Sequence, residues 1–103
     1  MSMSIQGSDV KKVVIACEAG MGSSVLLTTQ LRKRLSGYGV SVDHSPVNQI
    51  PDDTDVVLCH RGLAARARQK AAGTPVLAFN TYLGDPVFER LEEAIRDDST
   101  IDG

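Results

Sequence analysis

The chain has 103 residues, 42% of them apolar, enough for one domain around a single modest core. A net charge of -2, with two Tyr, two Phe and no Trp, excludes a nucleic-acid binder driven by positive charge and base stacking. No apolar run approaches the roughly 20 residues of a membrane-spanning helix, no signal-peptide pattern opens the chain, and two cysteines without paired spacing are no disulfide framework; these features together predict a reducing, cytoplasmic setting.

The opening "MSMSIQGSD" and the closing "DDSTIDG" read as solvated segments, giving a flexible tail over 1–10, one folded domain over 11–97 and a second tail over 98–103. The first strand is "KVVIA", a continuous β-branched run of the kind buried on both faces of a parallel sheet. A helix follows from Ser23 or Ser24, with Leu27, Leu31 and Leu35 at four-residue spacing, Arg32, Lys33 and Arg34 near its carbonyl end, and Gly37 as its stop. "VSVDH" alternates as an edge strand does. The next link, "SPVNQIPDDT", is too short for a crossover helix, although Val47 and Ile50 fit one apolar turn. "DVVLC" is the third strand. The second helix carries Leu63, Ala67 and Ala71 on one stripe, with Arg66 and Arg68 off it and Gly73 as the stop. Pro75 introduces the fourth strand, "PVLAF". Asp85-Pro86 then opens a third helix as N-cap and first-turn proline. It continues through Val87, Leu91 and Ile95, with Glu92 and Arg96 spaced to pair outside.

This order predicts an α/β fold: a small open four-stranded parallel sheet flanked by helices, Rossmann-like and similar to the small cysteine phosphatases. Placing the two most apolar strands centrally gives the order 2-1-3-4. Ligands of such sheets bind outside the carboxyl ends of the strands, where the chain reverses its direction of winding. Cys17 ends the first strand and His60-Arg61 follows the third, so both belong to that edge.

Between Cys17 and the first helix stands "CEAGMGSS". Glycines at 20 and 22 permit a tight nest of inward amides, the helix start adds its positive dipole end, and Ser23 and Ser24 offer hydroxyls or caps. A thiol facing such a collar is expected to have a lowered pKa, and the thiolate is the nucleophile. A phosphoryl group carried on sulfur satisfies every feature. A nucleotide-binding loop requires a lysine after its last glycine, and none follows Gly22. A cysteine phosphatase uses the same geometry, and Asp85 would be its general acid. Such enzymes, however, place an arginine six residues after the cysteine, where this chain has Ser23. Without that arginine a large electrostatic contribution to hydrolysis is missing, and a cradle lacking it holds its phosphoryl group for a better acceptor.

"VVIACEAGMGSS", "NQIPDDTDVVLCHRGLAARA" and "FNTYLGDPVFERL" together resemble the IIB component of the mannitol-type sugar phosphotransferase system, from about Lys11 to Ile95. The cysteine loop is the specific element of that resemblance, and the other segments support it through order and spacing. The resemblance implies that Cys17 accepts a phosphoryl group from a histidine of a IIA component. Cys17 then passes the group to a sugar or sugar alcohol held by a membrane-embedded IIC component. Glu18, Ala19, Gly20, Met21, Gly22, Ser23 and Ser24 would be the phosphate collar, and the domain would work in the cytoplasm, transiently at the inner face of the membrane. No cofactor is implied. Glu18 stands where the family more often has aspartate, Gly62 replaces an aspartate after His-Arg, and Thr81 lies where an asparagine would align beside Asn80.

Other residues have simpler readings. Cys59 sits inside an apolar run and belongs to the core, and His44 faces solvent from an edge strand. His60 and Arg61 are candidate accessory residues, with helix capping and surface charge as the alternative. Cys17, Cys59, His44 and His60 lack the spacing of metal ligands, so no metal site is predicted. The expected function is therefore a phosphoryl carrier in sugar uptake, a phosphotransferase working through phosphocysteine at Cys17. A low-molecular-weight cysteine phosphatase or arsenate-reductase-like enzyme is the alternative, with Arg61 replacing the missing clamp. A phosphorylated regulatory relic is the third reading. Transfer to two partners requires the thiol to be reachable.

Overall fold

The computed structural model describes residues 4–17, 22–80 and 85–102, the side chains of 22–24 excepted. Its strands are β1 (Ser4–Gln6), β2 (Lys12–Cys17), β3 (Ser41–Pro46), β4 (Val56–His60), β5 (Val76–Phe79) and β6 (Thr100–Asp102), and its α-helices are α1 (Gly22–Leu35), α2 (Ala64–Lys70) and α3 (Pro86–Asp97). Four strands form a parallel sheet in the order β3-β2-β4-β5, which is the expected 2-1-3-4 arrangement of the four core strands.

Side-chain alternation along these strands builds two separate layers of core. Val13 and Ile15 of β2, with Val56 and Leu58 of β4, pack under Leu27, Leu31 and Leu35 of α1 and Phe88, Leu91 and Ile95 of α3. On the opposite face Ala16, Val57, Cys59 and Val76 meet Ala64 and Ala67 of α2 together with Val47 and Ile50. The short link after β3 is therefore a single 3-10 turn, Val47–Gln49, which covers the sheet where a full helix has no room.

The run "PDDTD" before β4 has a clear structural task. Asp55 Oδ2 accepts the Lys11 and Lys12 amides at 2.8 and 3.0 Å, and the Asp55 amide donates to the Lys12 carbonyl at 2.9 Å. Asp53 pairs with Lys12 Nζ at 2.9 Å, and that bond holds the Asp53 carboxyl below the usual carboxylate range. The start of the central strand is thus tied to the segment that leads into its neighbour.

Helix ends depart from expectation in two places. After Leu35 the chain makes a 3-10 turn over Ser36–Tyr38, and the left-handed residue that ends it is Gly39 (φ 71°) instead of Gly37. Arg96 pairs with Asp97 at 3.2 Å, while Glu92 meets Arg34 of α1 at 3.5 Å, so the expected Glu92–Arg96 pair within one helix gives way to a contact between helices. Gly73 does end the α2 segment with a positive φ of 89°.

Residues 4–6 and 100–102, within the segments the sequence reads as tails, pair as antiparallel strands with Ile5 opposite Ile101. Ile101 is buried against the α3 side of the core, and Ile5 packs against the same layer. Each segment holds one apolar residue between polar neighbours, too weak a pattern to be read as a strand until the other segment lies beside it. Gly7 lies so close to α3 that a Cβ there would collide with the Ala94 carbonyl oxygen.

Candidate functional site

Parallel strands bring all their carboxyl ends to one edge of the sheet, so Cys17, Pro46, His60 and Phe79 share it. The connection from β2 through α1 to β3 runs over one face, and that from β4 through α2 to β5 runs over the other. Cys17 therefore stands where the winding changes direction, and α1 begins five residues after it. The amides of a helix start and the end of a central strand meet there, a favourable place for an anion. Glu18, Ala19, Gly20 and Met21 of the expected collar lie outside the described residues. Gly22, Ser23 and Ser24 form the first turn of α1, and their side chains lie outside the description as well.

Cys17 is only 5% exposed, and its Sγ donates to the Ser45 carbonyl of β3 at 3.5 Å. This corrects the expectation of an accessible thiol. Cys17 faces Pro46 in the register with β3 and has β4 on its other side, so the strand end is flanked twice. A thiol can donate to a carbonyl, but a thiolate or a sulfur carrying phosphate cannot. The contact therefore belongs to the protonated resting state.

Cys59 is fully buried, and burial pushes its thiol up, opposed in part by Arg68. It pairs in register with Ala16 and lies in the α2-side core. By alternation Cys17 projects to the other face, so the two cysteines point apart and both are free thiols.

His60 ends β4 and Arg61 follows it, so both lie at the carboxyl edge of the sheet. His60 Nδ1 accepts the Gly62 amide at 3.2 Å, which caps the 3-10 turn Arg61–Leu63, and its ring meets Phe79 edge-on at 6.1 Å. Arg61 Nη1 donates to Asn80 Oδ1 at 3.4 Å. Asp85 Oδ2 accepts the Asn80 amide at 2.8 Å, and its Oδ1 accepts the Val87 amide at 3.0 Å. The loops after β4 and β5 are thereby linked through Arg61, Asn80 and Asp85. Asp85 is the N-cap its sequence context predicts, with both carboxylate oxygens engaged by backbone amides. Both oxygens thus serve the backbone at the start of α3 and at the end of β5. Ser45 was not legible as a site residue, because its partner Cys17 lies 28 residues away in the chain. The pairing of Asn80 with Asp85 was within reach, given a strand end five residues before an Asp-Pro helix start.

Among the described residues no group of three His, Cys, Asp or Glu side chains converges to hold a metal ion, and no helix is long and apolar enough to cross a membrane.

Residues 12–93 match the sequence family described as "PTS system, Lactose/Cellobiose specific IIB subunit". Individual relatives carry another sugar in their names. The chain is 35% identical over 89 residues to the mannitol-specific EIICB component of Geobacillus stearothermophilus, an alignment covering 84% of this chain and 19% of that protein. It is 37% identical over 86 residues to the mannitol-specific cryptic EIICB component of Escherichia coli K12, covering 82% of this chain and 18% of the relative. Against the mannitol-specific EIICBA component of the same organism it is 34% identical over 91 residues, covering 85% and 14%. The chain thus spans about a fifth or less of the length of these relatives.

Proposed function

Since this chain belongs to the lactose/cellobiose-specific IIB family of the sugar phosphotransferase system, we propose that it is a phosphoryl carrier whose acceptor atom is Cys17 Sγ. The observation that carries this reading is the position of Cys17, at the end of the central strand β2, at the switch in winding and just ahead of α1.

In this reading the thiol first loses its proton to water. The negative sulfur no longer has a hydrogen for the Ser45 carbonyl and is repelled by that oxygen, so it turns towards the start of α1. It then attacks the phosphorus of a phosphohistidine in line, the S–P bond forming as the N–P bond breaks. The amides of residues 19–24 receive the equatorial oxygens. In the second step a hydroxyl of the sugar attacks, the S–P bond breaks, and sulfur leaves as thiolate into the same amide environment. Ser23, in place of a cationic clamp, leaves water without strong assistance between the two steps.

The phosphate donor in this proposal is a IIA component, and the acceptor is a sugar or sugar alcohol held by a membrane IIC component. The mannitol-type assignment rests on the names of the relatives, in which B is joined to C or to C and A. The carrier works on the cytoplasmic side and meets the membrane only through IIC.

The test supplies phosphoenolpyruvate, the general phosphotransferase proteins and the A domain of the Escherichia coli K12 mannitol EIICBA relative, and weighs the chain by mass spectrometry. A phosphoryl adduct that persists alone and is absent from Cys17→Ser is the expected outcome. Steady release of inorganic phosphate from an aryl phosphate, with no transferable adduct, would overturn the proposal in favour of a hydrolase.

A further inference from the structure

The side chains that flank Cys17 are set by strand alternation. On β2, Val13 and Ile15 face α1 and α3, so Cys17 faces the same way. On β4, Val56 and Leu58 face that side too, which puts His60 there; its edge-on contact with Phe79, a member of the same core layer, agrees. Ala16 and Cys59 are the last register partners of the two strands, and Cys17 and His60 are the residues that follow. Cys17 and His60 are therefore neighbours on one face, about 4.8 Å apart across the strands.

The ring is held in one tautomer. A backbone amide can only donate, so the bond from the Gly62 amide requires an unprotonated Nδ1. In the neutral ring the hydrogen then sits on Nε2, and the Phe79 contact at 85° sets the plane in which it points.

From this geometry we propose that His60 is a catalytic residue of the carrier, donating from Nε2 to an oxygen of the phosphoryl group on Cys17. The inference rests on the phosphocysteine reading and deepens it. No bond to His60 is made or broken: sulfur gains the phosphoryl group from the donor's nitrogen, and the imidazole keeps its proton throughout. A neutral donor steadies the oxygens of the carried group without the full cationic clamp that favours attack by water. The capping bond to Gly62 is thus a positioning device as well as a turn closure.

Two substitutions separate the roles of the ring nitrogens. His60→Asn puts a carbonyl oxygen where Nδ1 stands and removes the Nε2 donor. His60→Gln puts an amide N–H near the Nε2 position and removes the cap. Single-turnover transfer from the phosphorylated A domain of the Escherichia coli EIICBA relative is measured for both, together with thermal unfolding. A donor role predicts that Asn slows transfer by about 10- to 100-fold at unchanged stability, the loss expected of one hydrogen bond to a charged oxygen, while Gln stays within about threefold of wild type. Wild-type transfer by the Asn variant overturns the inference. If both variants are slow, the ¹⁵N spectrum of the phosphorylated wild type decides: a slowly exchanging Nε2–H coupled to ³¹P supports the bond, and its absence overturns it. If the wild-type chain takes no phosphoryl group on Cys17, the carrier reading itself falls and this inference with it.

Discussion

Thr54 and Asp55 are adjacent residues with opposite fates. Asp55 gathers two amides on one oxygen, whereas the Thr54 hydroxyl is buried with no hydrogen-bond partner. An unpartnered buried hydroxyl costs about 1–3 kcal/mol relative to its hydrated state. Thr54→Val keeps the shape and removes that cost. It is expected to stabilise the fold by about 1 kcal/mol, seen as a higher urea midpoint at unchanged slope; a lower midpoint would mean that the hydroxyl is satisfied after all. The residue scale is also where the sequence was least informative. "PDDTD" shows four polar side chains in a row, and nothing local says which of them reaches the start of β2 and which turns inward. The loop sequence singled out Cys17 as the candidate phosphoryl acceptor. Its resting bond to Ser45 was not legible, because that partner is 28 residues away.

At the scale of elements, the terminal ribbon of β1 and β6 is the clearest addition to what periodicity revealed. It is docked at Gly7, where an added Cβ would collide with the Ala94 backbone, which cannot yield. Gly7→Ala is expected to cost about 1–3 kcal/mol and to lower the melting temperature by several degrees, while far-UV circular dichroism still reports the main sheet. At the same end of the ribbon Asp98 adopts a left-handed conformation after α3 (φ 55°), and its Oδ1 accepts the Ser8 amide at 3.0 Å. That bond holds the Asp98 carboxyl below the usual carboxylate range. A lowered folded-state value means that the contribution is present above the unfolded value, about 3.9, and is lost as pH falls through the folded one. The stability difference between wild type and Asp98→Ala should therefore shrink on acidification from pH 7. A gap of constant size down to about pH 2 would show that the carboxylate charge has no part in it. The helices were readable because each carries an apolar stripe, and α3 also carries an Asp-Pro start. The end of α1 at Leu35 agrees with a stop at Gly37, but the left-handed glycine lies two residues later, at Gly39, because a 3-10 turn over Ser36–Tyr38 intervenes before Val40 packs into the core.

Across the whole molecule, a sheet buried on both sides separates two core layers that share no side chains. Leu91→Ala, on the α3 side, is expected to cost about 2–5 kcal/mol, and Val57→Ala, on the α2 side, somewhat less. Because the two sites have no common partner, the double variant should lose the sum within about 0.5 kcal/mol. A larger departure in urea titrations would show that strain passes through the sheet.

The division between sequence and structure follows from the range of the forces involved. Local pattern determined the four core strands, their order and the three helices, and it marked the loop thiol as the candidate acceptor, since burial periodicity, caps and a glycine-rich turn act within a few residues. Only the tertiary structure decided that Cys17 rests on the Ser45 carbonyl, that His60 shares its face with its ring turned by Gly62, that Asp85 caps with both oxygens, and that the terminal segments pair. The Cys17–Ser45 bond, the shared face of Cys17 and His60 and the terminal pairing each need distant parts of the chain brought side by side. The Gly62 and Asp85 bonds are short-range ones that the fold selects among several local possibilities. Until the sheet forms, neither partner of a distant pair carries a sign of the other.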